Sequence, residues 1–107
     1  MDNKFKSHLG LAMRAGKLVT GDEGVLKAIR SGEARLVILA ADASENARKK
    51  YRDKCRFYGV ELMETGTKAE LGSSIGKEMR VIVGVLDQGF AQMLRQANPA
   101  EVKKFDQ

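Results

Sequence analysis

The chain has 107 residues, with nineteen Lys and Arg against fourteen Asp and Glu, for a net charge of +5. Its single cysteine excludes an internal disulfide and a multi-cysteine zinc site, and no apolar run approaches the roughly 18 residues that span a membrane. The N-terminal segment lacks the apolar core of a signal peptide, so a cytoplasmic protein is expected.

Length and composition predict one domain, residues 1–98, followed by a charged tail, 99–107. Such a domain buries roughly 65% of its unfolded surface and needs no staple. The basic balance favours a polyanionic partner, because neutralised phosphates release counterions.

The first element is a helix from Asn3 to Ala15 with Phe5, Leu9, Ala12 and Met13 on its buried face. Gly16 suits its C-terminal end, and Lys17 to Val19 follow as a very short strand. Thr20-Gly-Asp-Glu23 has the spacing of a capping box for a second helix that buries Val25, Leu26 and Ile29. That helix ends near Ser31-Gly32. The continuous apolar run within Arg35 to Ala41 predicts a central strand covered on both faces.

Ser44 caps a third helix, Glu45 to Tyr58, closed by Gly59. Ala47, Tyr51, Cys55 and Tyr58 lie on its core side, so Cys55 reads as a buried, inert thiol. Val60 to Glu64 is a strand nearer the sheet edge. Thr67-Lys-Ala-Glu70 is a second capping box, opening a short helix that ends at Gly72 or Ser74. Arg80 to Leu86 is another buried strand. Asp87 caps a last helix with Phe90, Met93, Leu94 and Ala97 inward; Pro99 stops it, and the tail beyond is expected to fray. The alternation implies an α/β, three-layer α-β-α sandwich with a central sheet of about four strands and helices on both faces.

Catalytic chemistry finds little support. There is one histidine, His8, beside core positions of the first helix, and no paired metal-ligand set occurs, so neither a cofactor nor a metal is expected. Gly10 to Leu18 superficially has the look of a phosphate loop. Its glycine spacing is one residue too long, it lacks Ser or Thr after Lys17, and its first glycine falls in a helix. The numerous acids mostly suit caps and helix surfaces. The cations of the third helix, from Arg48 to Arg56, lie on several sides of it and read as a solvated face.

A more suggestive group surrounds the start of the second helix: Arg14, Lys17 and Lys27 there, with Lys77 and Arg80 in the glycine-hinged segment Gly76 to Arg80. If strand order brings that segment beside the first strand-to-helix turn, the two form one surface. Glycines let backbone approach a nucleic acid closely, and Asp22 or Glu23 can accept from base amino groups.

These segments also resemble a known family. Gly21, Lys27-Ala-Ile, Gly32, Leu36-Val-Ile-Leu-Ala, Asp42-Ala, then Ala69-Glu-Leu-Gly72 and Gly76 are similar to the kink-turn RNA-binding ribosomal proteins of the L-seven-Ae and L-thirty-e type. The likeness runs from about residue 4 to 97. The flanks Leu9 to Lys17 and Asp87 to Ala91 look closest to its bacterial YlxQ-like subgroup. The resemblance implies a sandwich that binds kinked RNA helices carrying tandem sheared G·A pairs.

It also implies a Gly-x-Asn-Glu-x-x-Lys motif at the start of the second helix, contacting those pairs, and a hydrophobic loop covering a flipped-out base. Gly21 and Lys27 match; Glu23 stands at the Asn position and Gly24 at the Glu position. The loop carries Lys77, Glu78, Met79 and Arg80, with Met79 the candidate to touch a base. Ser44 begins the loop after the second strand, where the family approaches the bulge.

The expected function is a non-enzymatic RNA-binding protein, ribosome-associated and monomeric when free, contacting a structured RNA. Its RNA-binding residues are Arg14, Lys17, Thr20, Gly21, Asp22, Glu23, Gly24, Lys27, Ser44, Gly76, Lys77, Glu78, Met79 and Arg80. Alternatives are a protein-interaction domain and an accessory module for RNA modification, since the same sandwich resembles the substrate-binding domain of some RNA ribose methyltransferases.

Overall fold

The apolar run at residues 36–39 forms the middle of the sheet, with all four residues fully buried. Their side chains alternate between two separate cores. Val37 and Leu39 face one; Leu36 and Ile38 face the other. This is the period of two that a strand covered on both faces requires.

The computed structural model describes residues 1–99 and 102–103. The elements in chain order are α1 (Asn3–Arg14), β1 (Leu18–Thr20), α2 (Asp22–Ser31), β2 (Leu36–Leu39), α3 (Glu45–Tyr58), β3 (Leu62–Glu64), α4 (Lys68–Ser74), β4 (Ile82–Val85), α5 (Gln88–Ala97) and β5 (Val102–Lys103). Val25, Leu26 and Ile29 of α2 pack with Tyr51 and Cys55 of α3 on one face of the sheet. Phe5 and Leu9 of α1, Leu71 of α4 and Leu94 of α5 cover the opposite face. Each fully buried large side chain contributes roughly 1.5–3 kcal/mol, so these two cores hold the three-layer sandwich together.

The sheet order is β1-β4-β2-β3-β5. Strand β2 runs parallel to β3, while β4 lies between β1 and β2 and antiparallel to both. Thr20 pairs with Val83 and Leu39 with Ile82. The exits of β1 and β2 and the entrance to β4 therefore meet at one end of the sheet. At the other end, Leu86 donates its N–H to the carbonyl of Lys17.

Three local expectations are corrected. Thr20 does not cap α2: it is the last residue of β1, and the cap position is Gly21, which makes no side-chain bond. Pairing to Val83 holds Thr20 extended. The reversal into α2 then falls on Gly21 at φ 87°, a conformation open to glycine at no steric cost. Tyr58 is exposed rather than inward, because α3 extends past the layer that buries Tyr51 and Cys55. The expected fraying of the tail does not extend to Val102 and Lys103, which pair antiparallel with Met63 and Leu62. They occupy backbone groups that β3 would otherwise present at an open edge, and Val102 packs partly into the α1–α5 core. Positions 100, 101 and 104–107 of the tail lie outside the described residues.

The other caps follow their sequence signals. The hydroxyl of Ser44 accepts from the Ala47 N–H, and Asp87 accepts from Phe90. At α4 the capping box is complete: Glu70 N–H donates to the Thr67 hydroxyl, and Thr67 N–H donates to the Glu70 carboxylate.

Candidate nucleic-acid interface

The first turn of α2 has no side-chain cap, so its N–H groups are left for solvent or a ligand. An open helix N-terminus ordinarily favours a phosphate. Here Asp22 and Glu23 stand in that first turn, and their negative charge opposes one. What the turn offers instead is carboxylate acceptors, suited to amino donors on base edges.

Asp22 is fixed from α3. Lys50 Nζ lies 2.6 Å from Asp22 Oδ2, and the Tyr51 hydroxyl donates to Oδ1. Those bonds, the one from Lys50 foremost, hold the Asp22 carboxyl below its ordinary value of 3.8. Burial, reinforced by the bond to Asp22, pushes the Tyr51 phenol upward. Tyr51 thus stays protonated and directs its proton at the carboxylate, leaving the remaining lone pairs of Asp22 toward the exposed side.

Beside this pair lies a cleft of about 440 Å³ between α2, α3 and the segment leading into β4. Gly21 and Asp22 form one wall, Asn46, Ala47 and Lys50 another, and Met79 to Ile82 the third. The antiparallel placement of β4 creates this arrangement, by bringing the 76–80 segment to the exit of β1. The wall is mostly apolar, and Met79 is 62% exposed at its rim. An apolar slot edged by a carboxylate and two cations has the chemistry to take a planar base and hold its neighbouring phosphate.

The 76–80 segment is held in place by backbone. Arg80 N–H donates to the Lys68 carbonyl and Lys77 N–H to that of Gly72. Gly72 makes this possible, since a β-carbon there would lie 1.7 Å from the carbonyl oxygen of Glu78. Lys68 N–H in turn donates to Asp42, tying α4 to the loop after β2.

The structure sorts the expected site residues. It brings Gly21, Asp22, Met79 and Arg80 together in the cleft. Lys77 and Glu78 border an adjoining hollow that shares Met79 and Arg80, and Gly76 makes the turn before them. Glu23 and Lys27 stand exposed, one turn apart on α2, outside the cleft wall. Gly24 faces inward: a β-carbon on it would meet Val19 Cγ2 at 2.7 Å, so it lets α2 sit close on β1. Thr20 is engaged in the sheet, and the Ser44 side chain in capping α3.

Arg14 and Lys17 are not brought to the cleft. Arg14 borders a groove between α1 and α4, and Lys17 sits at the opposite end of the sheet beside Leu86. Asn46, Ala47, Lys50 and Tyr51 of α3 join the cleft without being among the expected site residues. The signal was their spacing: positions 46 and 50, and 47 and 51, stack one turn apart on α3.

This sandwich, with its open α2 start facing the segment before β4, defines the class. The chain belongs to the ribosomal protein L7Ae/L30e/S12e/Gadd45 family, which matches residues 3–95. Among curated relatives it is 54% identical over 86 residues to the RNA-binding protein YlxQ of Bacillus subtilis, covering 80% of this chain and 86% of that one. A YlxQ of Enterococcus faecium is 46% identical over 93 residues, covering 87% and 89%. Among solved structures, a protein of unknown function from Bacillus halodurans superposes with a TM-score of 0.85 at 44% identity, covering 89% of this chain and 96% of that one. A Giardia lamblia 15.5kD RNA binding protein shares the fold at a TM-score of 0.75 and 18% identity, covering 92% and 84%.

Proposed function

We propose that this protein is a non-enzymatic, ribosome-associated RNA-binding protein that recognises a kinked RNA helix through the cleft between α2, α3 and the 76–80 segment. The reading is carried above all by the meeting of Gly21 and Asp22 with Met79 and Arg80 around one apolar slot. An unstacked base enters the slot against Met79, Val81 and Ala47. Arg80 and Lys27 hold phosphates on either side, which positions the RNA without reading sequence. Asp22, kept ionised by Lys50 and Tyr51, accepts from a base amino group at the rim, with Glu23 one residue further along α2. Residues 1–98 form the binding unit, and the protein acts in the cytoplasm as a monomer.

The names of the YlxQ relatives support RNA as the partner, and the family match supports an association with ribosomal RNA. A kink-turn hairpin whose sheared-pair guanosines are replaced by inosine, which lacks the 2-amino group, tests the recognition step. Wild-type protein should bind the inosine RNA about tenfold more weakly than the guanosine RNA, and Asp22→Asn should narrow that ratio. Equal binding of the two RNAs by the wild type would refute the carboxylate's reading role.

A further inference from the structure

Met79 divides two hollows. One is the cleft, of about 440 Å³; the other, of about 460 Å³, is lined by Ala69, Lys77, Glu78, Met79 and Arg80. Both fall within the roughly 300–1,000 Å³ of sites that take small ligands, and Met79 and Arg80 are the residues they share. Backbone ties the walls of the second hollow to each other. Ala69 follows Lys68, whose carbonyl accepts from the Arg80 N–H at 3.0 Å, and Lys77 N–H donates to the Gly72 carbonyl at 2.9 Å. These bonds hold the 76–80 segment at a fixed distance from α4, with the hollow open between them.

The chemistry of this hollow repeats that of the cleft. Ala69 and Met79 are its apolar surfaces, Lys77 and Arg80 its cations, and Glu78 its carboxylate. Lys77 and Glu78 are exposed and enter no ion pair among the described residues, so both are available to a ligand. The Arg80 guanidinium donates to the Met79 carbonyl at 3.0 Å, which keeps it beside Met79 where the two hollows meet. Met79 itself is largely exposed. An unbranched thioether held out between two recesses gains nothing for folding. It does have the shape and polarisability to insert between two aromatic rings, as apolar wedges do between base steps.

We propose that Met79 is a wedge between two nucleotide subsites. One unstacked base enters the cleft, its neighbour along the strand enters the hollow over Ala69, and Arg80 holds the phosphate that joins them. Lys77 holds the next phosphate, and Glu78 accepts from an amino group of the second base. The assignment rests on the cleft being a base site, and it makes the ligand two consecutive unstacked nucleotides instead of one. RNA offers such a step in loops and bulges, where bases splay out of the stack.

The test is a titration of the full chain with a kink-turn hairpin in which each bulge nucleotide in turn is made abasic. Wild-type protein should lose about tenfold in affinity at each of two adjacent positions. Met79→Ala should bind the unmodified hairpin more weakly and show little further loss at either position. Ala69→Leu, at an exposed helix position where leucine is well tolerated, fills the second hollow. It should abolish the sensitivity at one of the two positions and keep it at the other. Sensitivity at a single position, at two positions that are not adjacent, or at both positions in Ala69→Leu overturns the proposal and leaves the cleft reading intact. Binding with no sensitivity at any position, or failure to bind the unmodified hairpin, overturns the cleft as a base site and this proposal with it.

Discussion

The ammonium of Lys50 lies 2.6 Å from the carboxylate of Asp22, joining the second turn of α3 to the first turn of α2 at the edge of the cleft. The contact locks together two helices that the sequence separates by a strand and two loops. It also sets the charge that a ligand entering beside Gly21 meets.

Acid titration should expose this bond. Because the folded Asp22 carboxyl titrates below its unfolded value, its stabilisation is present above about pH 4 and lost as pH falls through the folded value. The pair is largely solvent-exposed, so its contribution is about 1 kcal/mol or less. Urea midpoints between pH 5 and pH 2, as rough bounds for a carboxylate, should fall less steeply for Asp22→Asn than for the wild type. Parallel curves would show that the bond does not persist in solution.

The alkaline side has the opposite sign. Burial pushes the Cys55 thiol up to about 12 from its ordinary 9.0, and the Tyr51 phenol rises above its ordinary 10.0. Both groups favour folding while protonated. Stability should therefore hold below about pH 9 and fall as pH rises, first through Cys55 and then above about pH 10 through Tyr51. Tyr51→Phe, measured by urea unfolding, should lose less stability between about pH 10 and 11 than the wild type. Cys55 should react with a thiol reagent at neutral pH only as fast as the domain opens.

Gly72→Ala should be the most damaging single methyl in the domain. Its β-carbon would collide with the backbone oxygen of Glu78, which no rotamer change can relieve. A loss of about 3 kcal/mol is expected in urea unfolding, together with weaker RNA binding as Met79 and Arg80 shift. Wild-type stability in this variant would mean that the 76–80 segment does not pack on α4.

Two threonines that look alike in sequence should behave differently. Thr67→Ala removes half of an observed capping box and should cost about 1 kcal/mol. Thr20→Ala removes no cap and should not show that loss. Thermal melts of the two variants compare them directly.

The contrast marks what was legible in the chain. Apolar patterning located the four main strands and four of the five described helices, since burial against a two-sided sheet imposes it, and the capping box at Thr67 to Glu70 located α4. The caps at Ser44, Thr67 and Asp87 were legible because side chain and backbone lie three residues apart. Thr20 has the same local pattern, but pairing to Val83 across 63 residues overrode it. Strand direction was the larger gap. Nothing local shows that β4 runs antiparallel to β1, and that single fact puts Arg80 beside Gly21 at the exit of β1 rather than beside Lys17 at its entrance. Tyr51 read correctly as core, yet its hydroxyl reaches Asp22, because an aromatic side chain can bury its body and still present a polar tip. The two-residue strand β5 has too little length for any pattern to announce it.

The central claim is that RNA is held at the start of α2 and by the segment before β4. Its most direct test is the affinity for a kink-turn hairpin and for a straight duplex of equal length, at fixed salt, with Lys27→Ala, Arg80→Ala and Lys17→Ala. Wild-type protein should prefer the kinked RNA. Lys27→Ala and Arg80→Ala should each weaken its binding by about 1–3 kcal/mol, while Lys17→Ala leaves it nearly unchanged. Equal affinity for both RNAs, with the three variants losing alike, would contradict the account and reduce the interaction to net charge.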